Sequence, residues 1–133
     1  PRPLGKVASG GEIARIALAI QVVLAGDAGV PTLIFDEVDA GIGGRTADVI
    51  GRELRRLAGH RQVLCVTHLA QVAAQAGQHF AVSKRTETGQ TLTEVEALTA
   101  EARVTEIARM LGGVELTPEG LRHAGALLGL AGH

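Results

Sequence analysis

Two short apolar runs, each followed at once by polar side chains, constrain the fold of this chain more than any other feature. Residues 32–35 precede Asp36 and Glu37, and residues 62–67 precede His68. Short unbroken apolar runs are typical of strands that are covered on both faces of a parallel sheet. A segment with helical spacing follows each run, so the order strand, helix, strand, helix predicts a layered parallel α/β unit.

Apolar residues that recur every three or four positions predict the helices of this unit. A first helix is expected to begin after Ser9 and to end at Gly26, and a short helix is expected to end at Gly77. Between them, a helix is expected from about Arg45 to Ala58. Its core-facing positions are Ala47, Ile50, Leu54 and Leu57.

The C-terminal part of the chain has a different pattern. Residues 79–98 predict an antiparallel hairpin whose polar turn covers residues 85–90. Two helices are expected after it, and the second begins at Thr117 and Pro118, a capping residue followed by proline at the first helical position. The predicted fold class is therefore α/β: one lobe over residues 1–133, with a mainly parallel sheet, a C-terminal β-hairpin and helices.

The composition limits the partners of such a lobe. Thirteen basic residues are balanced by fourteen acidic ones, so no global positive field draws the chain onto DNA or an anionic membrane. Phe35 and Phe80 are the only aromatic residues, which argues against stacking on nucleic-acid bases. Cys65, the sole cysteine, is expected to be a buried thiol in a reducing cytosol. No apolar run reaches membrane-spanning length, so we expect a cytoplasmic protein without a membrane partner.

Ser9, Gly10, Gly11 and Glu12 form a glycine-rich step into the first predicted helix. Ser9 and Glu12 have the spacing of a capping box, in which each side chain satisfies a backbone donor of the other residue. Unpaired backbone N–H groups and the positive end of the helix dipole attract phosphate, and the two glycines leave room for it. Taken alone, however, these four residues favour a plain helix cap beside a tight turn.

The polar residues after the two apolar runs suggest phosphate chemistry. Asp36 or Glu37 can hold Mg²⁺ through water while the other carboxylate orients a hydrolytic water, and His68 can donate a hydrogen bond to a transferred phosphoryl group. The alternatives are a solvated acidic strand end and a structural histidine. No G-x-x-x-x-G-K-[ST] motif occurs, so this chain alone is expected neither to hold ATP tightly nor to hydrolyse it.

Other groups of residues give weaker evidence for a functional site. The five histidines show no paired metal-ligand spacing. The arginines at positions 52, 55 and 56, and the pair Lys84-Arg85, can reach DNA phosphates, but a solvated surface explains them as well.

These motifs together resemble the C-terminal lobe of the head of an ATP-binding-cassette ATPase. Residues 9–12 look like its signature motif, residues 32–36 like the Walker B strand, and Glu37 like the catalytic glutamate that follows it. Asp39 looks like the D-loop aspartate, and His68 like the switch histidine.

The sequence after Glu37 is similar to the chromosome-maintenance and repair branch of these ATPases, and it lacks the Pro-Thr/Ser-x-x-Leu-Asp run of transporters. Residues 39–45, 67–73 and 106–113 look specifically like the RecN family, SMC-like bacterial proteins of double-strand-break repair. The likeness covers nearly the whole chain.

The resemblance implies a missing N-terminal lobe that carries Walker A, and a homodimer in which two heads sandwich ATP. It implies that Asp36 is the Mg²⁺ partner, Glu37 the general base or water-orienting group, and His68 the γ-phosphate sensor. The signature motif at residues 9–12 would contact the nucleotide of the opposite subunit, and Asp39 would make a contact across the dimer.

The implied function is an ATPase half-site that couples nucleotide state to the capture or tethering of DNA ends, in the cytoplasm and at the nucleoid during repair. The isolated lobe is expected to be inactive. A nucleotide-binding subunit of a membrane transporter and a non-catalytic interaction domain are the alternatives.

Overall fold

The computed structural model describes residues 19, 29, 31–36, 41–112 and 115–131. The chain divides into two compact units, Pro1–Gln75 and Ala76–His133. The predicted site residues Ser9, Gly10, Gly11, Glu12, Glu37 and Asp39 lie outside the described residues. The first predicted helix also lies outside them, except for Ala19, which is helical and exposed.

The first unit contains the predicted order of strand, helix, strand and helix. Its described elements are β1 (Thr32–Asp36), α1 (Gly44–Ala58), β2 (Gln62–Val66) and α2 (Ala70–Ala73). The two strands pair in parallel, from Thr32 opposite Gln62 to Asp36 opposite Val66. The predicted parallel unit is thus confirmed, and the bounds of α1 agree with the predicted helix to within one residue.

One face of the β1–β2 sheet forms the core of this unit. Phe35 is 1% exposed and packs with Ala47, Ile50 and Leu54 of α1 and with Val72 of α2. Three of the four core-facing positions that the helical spacing predicts are therefore buried, and the fourth, Leu57, is half-buried against the same core. Cys65, which was expected to be buried, is only half-buried, because it packs at the margin of this core.

The other face of the sheet differs from the expectation that both faces are covered. Ile34 is 70% exposed and Val66 is 57% exposed, and Leu64 between them is also exposed. Strand residues alternate between the two faces, so these three side chains share the face that is turned away from α1. Among the described residues, helices cover only the face of the sheet that is turned towards α1.

Gly51 allows α1 and α2 to approach each other closely. It is buried in the middle of α1, and a Cβ atom built at this position would lie 2.9 Å from Cγ of Gln75, 3.1 Å from the carbonyl oxygen of Gln71 and 3.3 Å from Cα of Val72. Two of these three atoms belong to the backbone, which cannot turn away as a side chain can. A Cβ atom at position 51 therefore requires the Gln75 side chain to move and the backbone at Gln71 and Val72 to shift by a few tenths of an ångström.

We predict that Gly51→Ala lowers the free energy of unfolding by about 1–3 kcal/mol, because overpacking outweighs the better helix propensity of alanine. Urea unfolding followed by circular dichroism measures the change. Gly125→Ala is the matched control, since Gly125 is exposed on a helix and a Cβ there meets nothing within 4 Å. The control is expected to be neutral or stabilising by about 0.5–1 kcal/mol. Equal effects of the two substitutions would contradict the close helix contact.

The second unit begins with a long antiparallel hairpin. Strand β3 (Phe80–Glu87) pairs with β4 (Gln90–Ala97), and Thr88 and Gly89 alone form the turn. The predicted turn over residues 85–90 is therefore wrong in its extent. Thr88 has φ 47° and Gly89 has φ 78°, the positive values that a tight two-residue hairpin turn requires. Arg85 belongs to the strand, where its guanidinium lies 2.8 Å from Glu94 on β4.

Two capped helices follow the hairpin. These are α3 (Ala100–Gly112) and α4 (Pro118–Ala131). The Thr117 hydroxyl accepts a hydrogen bond from the Gly120 N–H at 3.0 Å, so the predicted cap with proline at the first helical position is confirmed. Ile107 of α3 and Ala124 of α4 are fully buried. No helix in the described part of the chain is long and apolar enough to span a membrane.

His79, just before β3, is a half-buried titratable group of the second unit. Its Nδ1 atom is buried and has no hydrogen-bond partner in the described structure. Burial lowers the pKa of His79, the nearby Arg103 guanidinium lowers it further, and the Glu106 carboxylate partly opposes both effects. His79 therefore resists protonation in the folded protein more than it does in the unfolded chain.

We predict that His79 makes the chain less stable in mild acid. The unfolded chain binds a proton at the ordinary histidine pKa of about 6.5, whereas the folded protein does not until a lower pH. The free energy of unfolding should therefore fall as the pH drops below roughly 6.5, and His79→Gln should remove that part of the fall. Urea midpoints of both proteins at neutral and mildly acidic pH test this, and parallel pH profiles would contradict it.

Candidate functional site

The carboxyl ends of β1 and β2 bring two of the predicted site residues to one edge of the sheet. Asp36 is the last residue of β1, is exposed, and pairs in register with Val66. His68 follows Val66 by two residues and is also exposed. Because the strands are parallel neighbours about 4.8 Å apart, their carboxyl ends meet at the same edge. This edge is where open parallel sheets bind their ligands.

Thr67 shapes the turn that carries His68. Its hydroxyl oxygen accepts a hydrogen bond from the Leu69 N–H at 3.0 Å. The Leu69 carbonyl then accepts bonds from the N–H groups of Val72 and Ala73, which starts α2. The turn explains why β2 ends at Val66 although the apolar run continues to Thr67. His68 is thereby held between two residues whose positions the hydrogen bonds fix.

A glycine loop leads from the β1 side of this edge into α1. Gly41 has φ 73° and Gly44 has φ 55°, left-handed values that side chains other than glycine adopt with difficulty. Gly43, the residue that precedes α1, is extended and has no side chain to cap the helix. The first N–H groups of α1 are therefore not satisfied by a side-chain cap, which keeps the helix N-terminus polar and positive.

The donor set at this edge limits which metal it can hold. Among the described residues, no group of three or more histidine, cysteine, aspartate and glutamate side chains is arranged for a metal ion. A single exposed carboxylate such as Asp36 does suit Mg²⁺, which keeps several waters and takes most other ligands from phosphate groups.

We predict that Thr67→Val loosens the turn around His68. The substitution keeps the shape of the side chain but removes the acceptor of the Leu69 N–H, a hydrogen bond of about 0.5–1.5 kcal/mol. Amide hydrogen exchange of Leu69 should become roughly three- to tenfold faster. Thr67→Ser retains the hydroxyl and should exchange at nearly the wild-type rate. Unchanged exchange in the valine variant would contradict the role given to this hydroxyl.

Comparison with solved structures defines the class of the fold. A chain from work on ATP-driven dimerization and DNA-stimulated activation of SMC ATPases matches 83% of this chain and 66% of its own length, with a TM-score of 0.67 and 21% identity. The Smc head domain with a coiled coil and joint from Pyrococcus yayanosii matches 76% of this chain and 19% of its own length, with a TM-score of 0.64 and 24% identity. The chain has the α/β fold of an SMC ATPase head, which confirms the predicted fold class.

Sequence comparison narrows the class to one kind of protein, although no protein-family profile matches the chain. The DNA repair protein RecN of Xylella fastidiosa strain Temecula1 is 54% identical over 128 residues, which is 96% of this chain. RecN of Haemophilus influenzae is 52% identical over 98% of this chain, and RecN of Deinococcus radiodurans is 52% identical over 95%. The predicted resemblance to RecN is confirmed, and the transporter alternative is not favoured. The chain spans about 23% of the length of these curated relatives.

Two residues with local roles were missed by the sequence reasoning. Thr67 was assigned to the strand, although a threonine directly before a polar turn residue is a recognised sign of a hydroxyl-capped turn. Gly51 lies within α1, where the apolar spacing predicts the buried stripe but not a close helix contact. A glycine inside an otherwise regular helical pattern signals close packing.

Proposed function

We propose that this chain is part of the ATP-hydrolysing head of an SMC-like DNA repair protein similar to RecN. The observation that supports the proposal most directly is the parallel pairing that brings Asp36 and His68 to one sheet edge. The likeness to RecN over 96% of the chain supports assigning phosphate chemistry to that edge. Since the chain spans about 23% of those relatives, the remaining parts of the head would come from the rest of the protein.

In the proposed reaction a water oxygen attacks the γ-phosphorus of ATP, and the bond from that phosphorus to the β–γ bridging oxygen breaks. Glu37 orients this water and accepts its proton, and ADP leaves with the bridging oxygen. His68 donates a hydrogen bond to the γ-phosphate and senses its presence. The Thr67 turn would serve this role because its hydrogen bond to the Leu69 N–H holds the backbone on both sides of His68.

Mg²⁺ would be held at this edge by Asp36, through water, together with the phosphates. The ion would neutralise the negative charge of the phosphate oxygens. Asp36 is exposed at the end of β1, so water and phosphate can reach its carboxylate.

The signature motif of residues 9–12 would act on a different nucleotide. We propose that Ser9, Gly10 and Gly11 offer donors to the γ-phosphate bound by the opposite head, while Glu12 completes the helix cap. Asp39 would make a contact across the same interface. ATP then joins two heads in a homodimer, and hydrolysis releases them.

The proposed setting is the repair of DNA breaks in the cytoplasm, at the nucleoid. Nucleotide-driven joining of two heads would be coupled to the capture or tethering of DNA ends. The Walker A motif would come from the N-terminal lobe of the same protein, so this chain by itself is expected to have no ATP turnover.

We predict that Glu37→Gln in the full-length protein lowers ATP turnover by at least about a hundredfold, because a general base contributes roughly 10²–10⁴-fold to such a step. Binding of ATP and dimerisation should persist, since the amide keeps the shape of the side chain. DNA-stimulated release of phosphate is the measurement for turnover, and sedimentation with ATP is the measurement for the dimer.

Glu96→Gln is the matched control for this experiment. Glu96 is exposed on β4 and takes no part in the proposed reaction, so this variant should turn over at the wild-type rate. Wild-type turnover in Glu37→Gln would remove the role assigned to Glu37. A full-length protein that hydrolyses no ATP at all would support the non-catalytic alternative.

A further inference from the structure

Helix α1 carries a row of arginines on the side opposite the core. Arg45, Arg52 and Arg56 are seven and four residues apart, which places them on one face of an α-helix. All three are exposed. Ile50 and Leu54 are buried on the other side of the helix, so the core determines which side faces solvent. We refer to Arg45, Arg52 and Arg56 as the α1 arginine ridge.

Two of the three ridge arginines make no ion pair in the described part of the chain. Arg45 and Arg52 make no hydrogen bond or ion pair with any described residue. Arg56 lies 2.7 Å from Glu53, but its side chain remains 72% exposed. The two acids of this helix, Asp48 and Glu53, are half-buried neighbours of the ridge, and the helix carries four arginines against them. A local positive surface therefore exists on a chain whose formal net charge is −1.

The spacing of the ridge suits a regular polyanion. At 1.5 Å per residue, the three arginines span about 16 Å along the helix axis. Duplex DNA carries one negative charge per about 1.7 Å of its axis, so phosphates are available along the whole row. A guanidinium binds two oxygens of one phosphate in its own plane, which suits arginine to this contact.

The composition of the ridge favours DNA over an acidic protein. Cores of protein interfaces are depleted of charged residues and depend on buried aromatic or large apolar anchors. The ridge has three cations, and Val49 is the only exposed large apolar residue among them. Contact with the sugar-phosphate backbone requires no groove-reading geometry, so we expect the ridge to bind in this way.

We propose that the α1 arginine ridge binds the phosphate backbone of duplex DNA without sequence preference. The inference rests on the proposed function and deepens it, because it assigns a DNA-contacting surface to the head itself. It also replaces the interpretation of these arginines as a merely solvated face.

The test is the salt dependence of DNA binding by the full-length protein. A fluorescently labelled blunt duplex is titrated at several salt concentrations between roughly 50 and 200 mM, without nucleotide. In the double variant Arg45→Gln, Arg52→Gln, the plot of log K against log salt should become less steep by about 1.8, since each lost phosphate contact removes about 0.9. The dissociation constant should rise on the order of tenfold or more at 0.1 M salt.

The matched control is the double variant Arg109→Gln, Arg122→Gln. It changes the net charge equally and also replaces exposed arginines, but these two are already paired with Glu106 and Glu119. For this control, the plot of log K against log salt should have the wild-type slope. Circular dichroism melting of both variants shows whether the fold is intact.

Three results would overturn the inference. They are an unchanged slope in the ridge variant, an equal loss in the control, and a loss of binding to polyglutamate without a loss for the duplex. The last result would assign the ridge to an acidic protein. ATP turnover without DNA is also measured on the same proteins. If the wild-type protein shows no turnover, the proposed ATPase function is refuted, but the DNA-binding result can still be interpreted.

Discussion

The rest of the first unit depends on the parallel pairing of β1 with β2 over a single buried phenylalanine. Phe35 is opposite Cys65 in the register and packs under α1 and α2, so one side chain joins the strands to both helices. The same register places Asp36 opposite Val66 and thereby brings the two polar strand ends together. A slip by one residue would turn Phe35 to the exposed face and would separate Asp36 from the His68 turn. The same strand register therefore determines both the packing of the core and the geometry of the proposed chemistry.

Helix α1 lies between the sheet that carries the proposed ATP edge and the proposed DNA-binding surface. Its buried side contacts the sheet whose edge carries Asp36 and His68, while its exposed side carries the arginine ridge. Gly51 keeps α1 close to α2, and the Thr67 turn starts α2. The helix is therefore held from both the strand side and the α2 side. A phosphate-binding surface on such a helix has a defined position relative to the proposed ATP edge.

The sequence predicted the first unit well because its signals are local and repeated. Apolar spacing along α1 identified the buried residues, and the unbroken apolar runs identified β1 and β2 within one residue. The hairpin turn was placed too broadly, because polar residues such as Arg85 can belong to an exposed strand as readily as to a turn. Thr67 and Gly51 act through single contacts that no periodic pattern reveals. The roles of residues 9–12, Asp36, Glu37, Asp39 and His68 stay predictions, since they depend on a bound nucleotide and, for residues 9–12 and Asp39, also on a second head.

The separation of β1 and β2 along the sequence has a consequence for how the chain folds. Thr32 and Gln62 are 30 residues apart, whereas two residues connect β3 and β4. Loop-closure entropy grows by about 0.6 kcal/mol for each doubling of loop length, so closing the parallel pair costs roughly 2 kcal/mol more than closing the hairpin. The hairpin can form from local contacts alone, but the edge with Asp36 and His68 exists only after α1 has bridged the two strands. The proposed ATP edge thus depends on pairing between strands that are distant in the sequence, whereas the hairpin depends on neighbours alone.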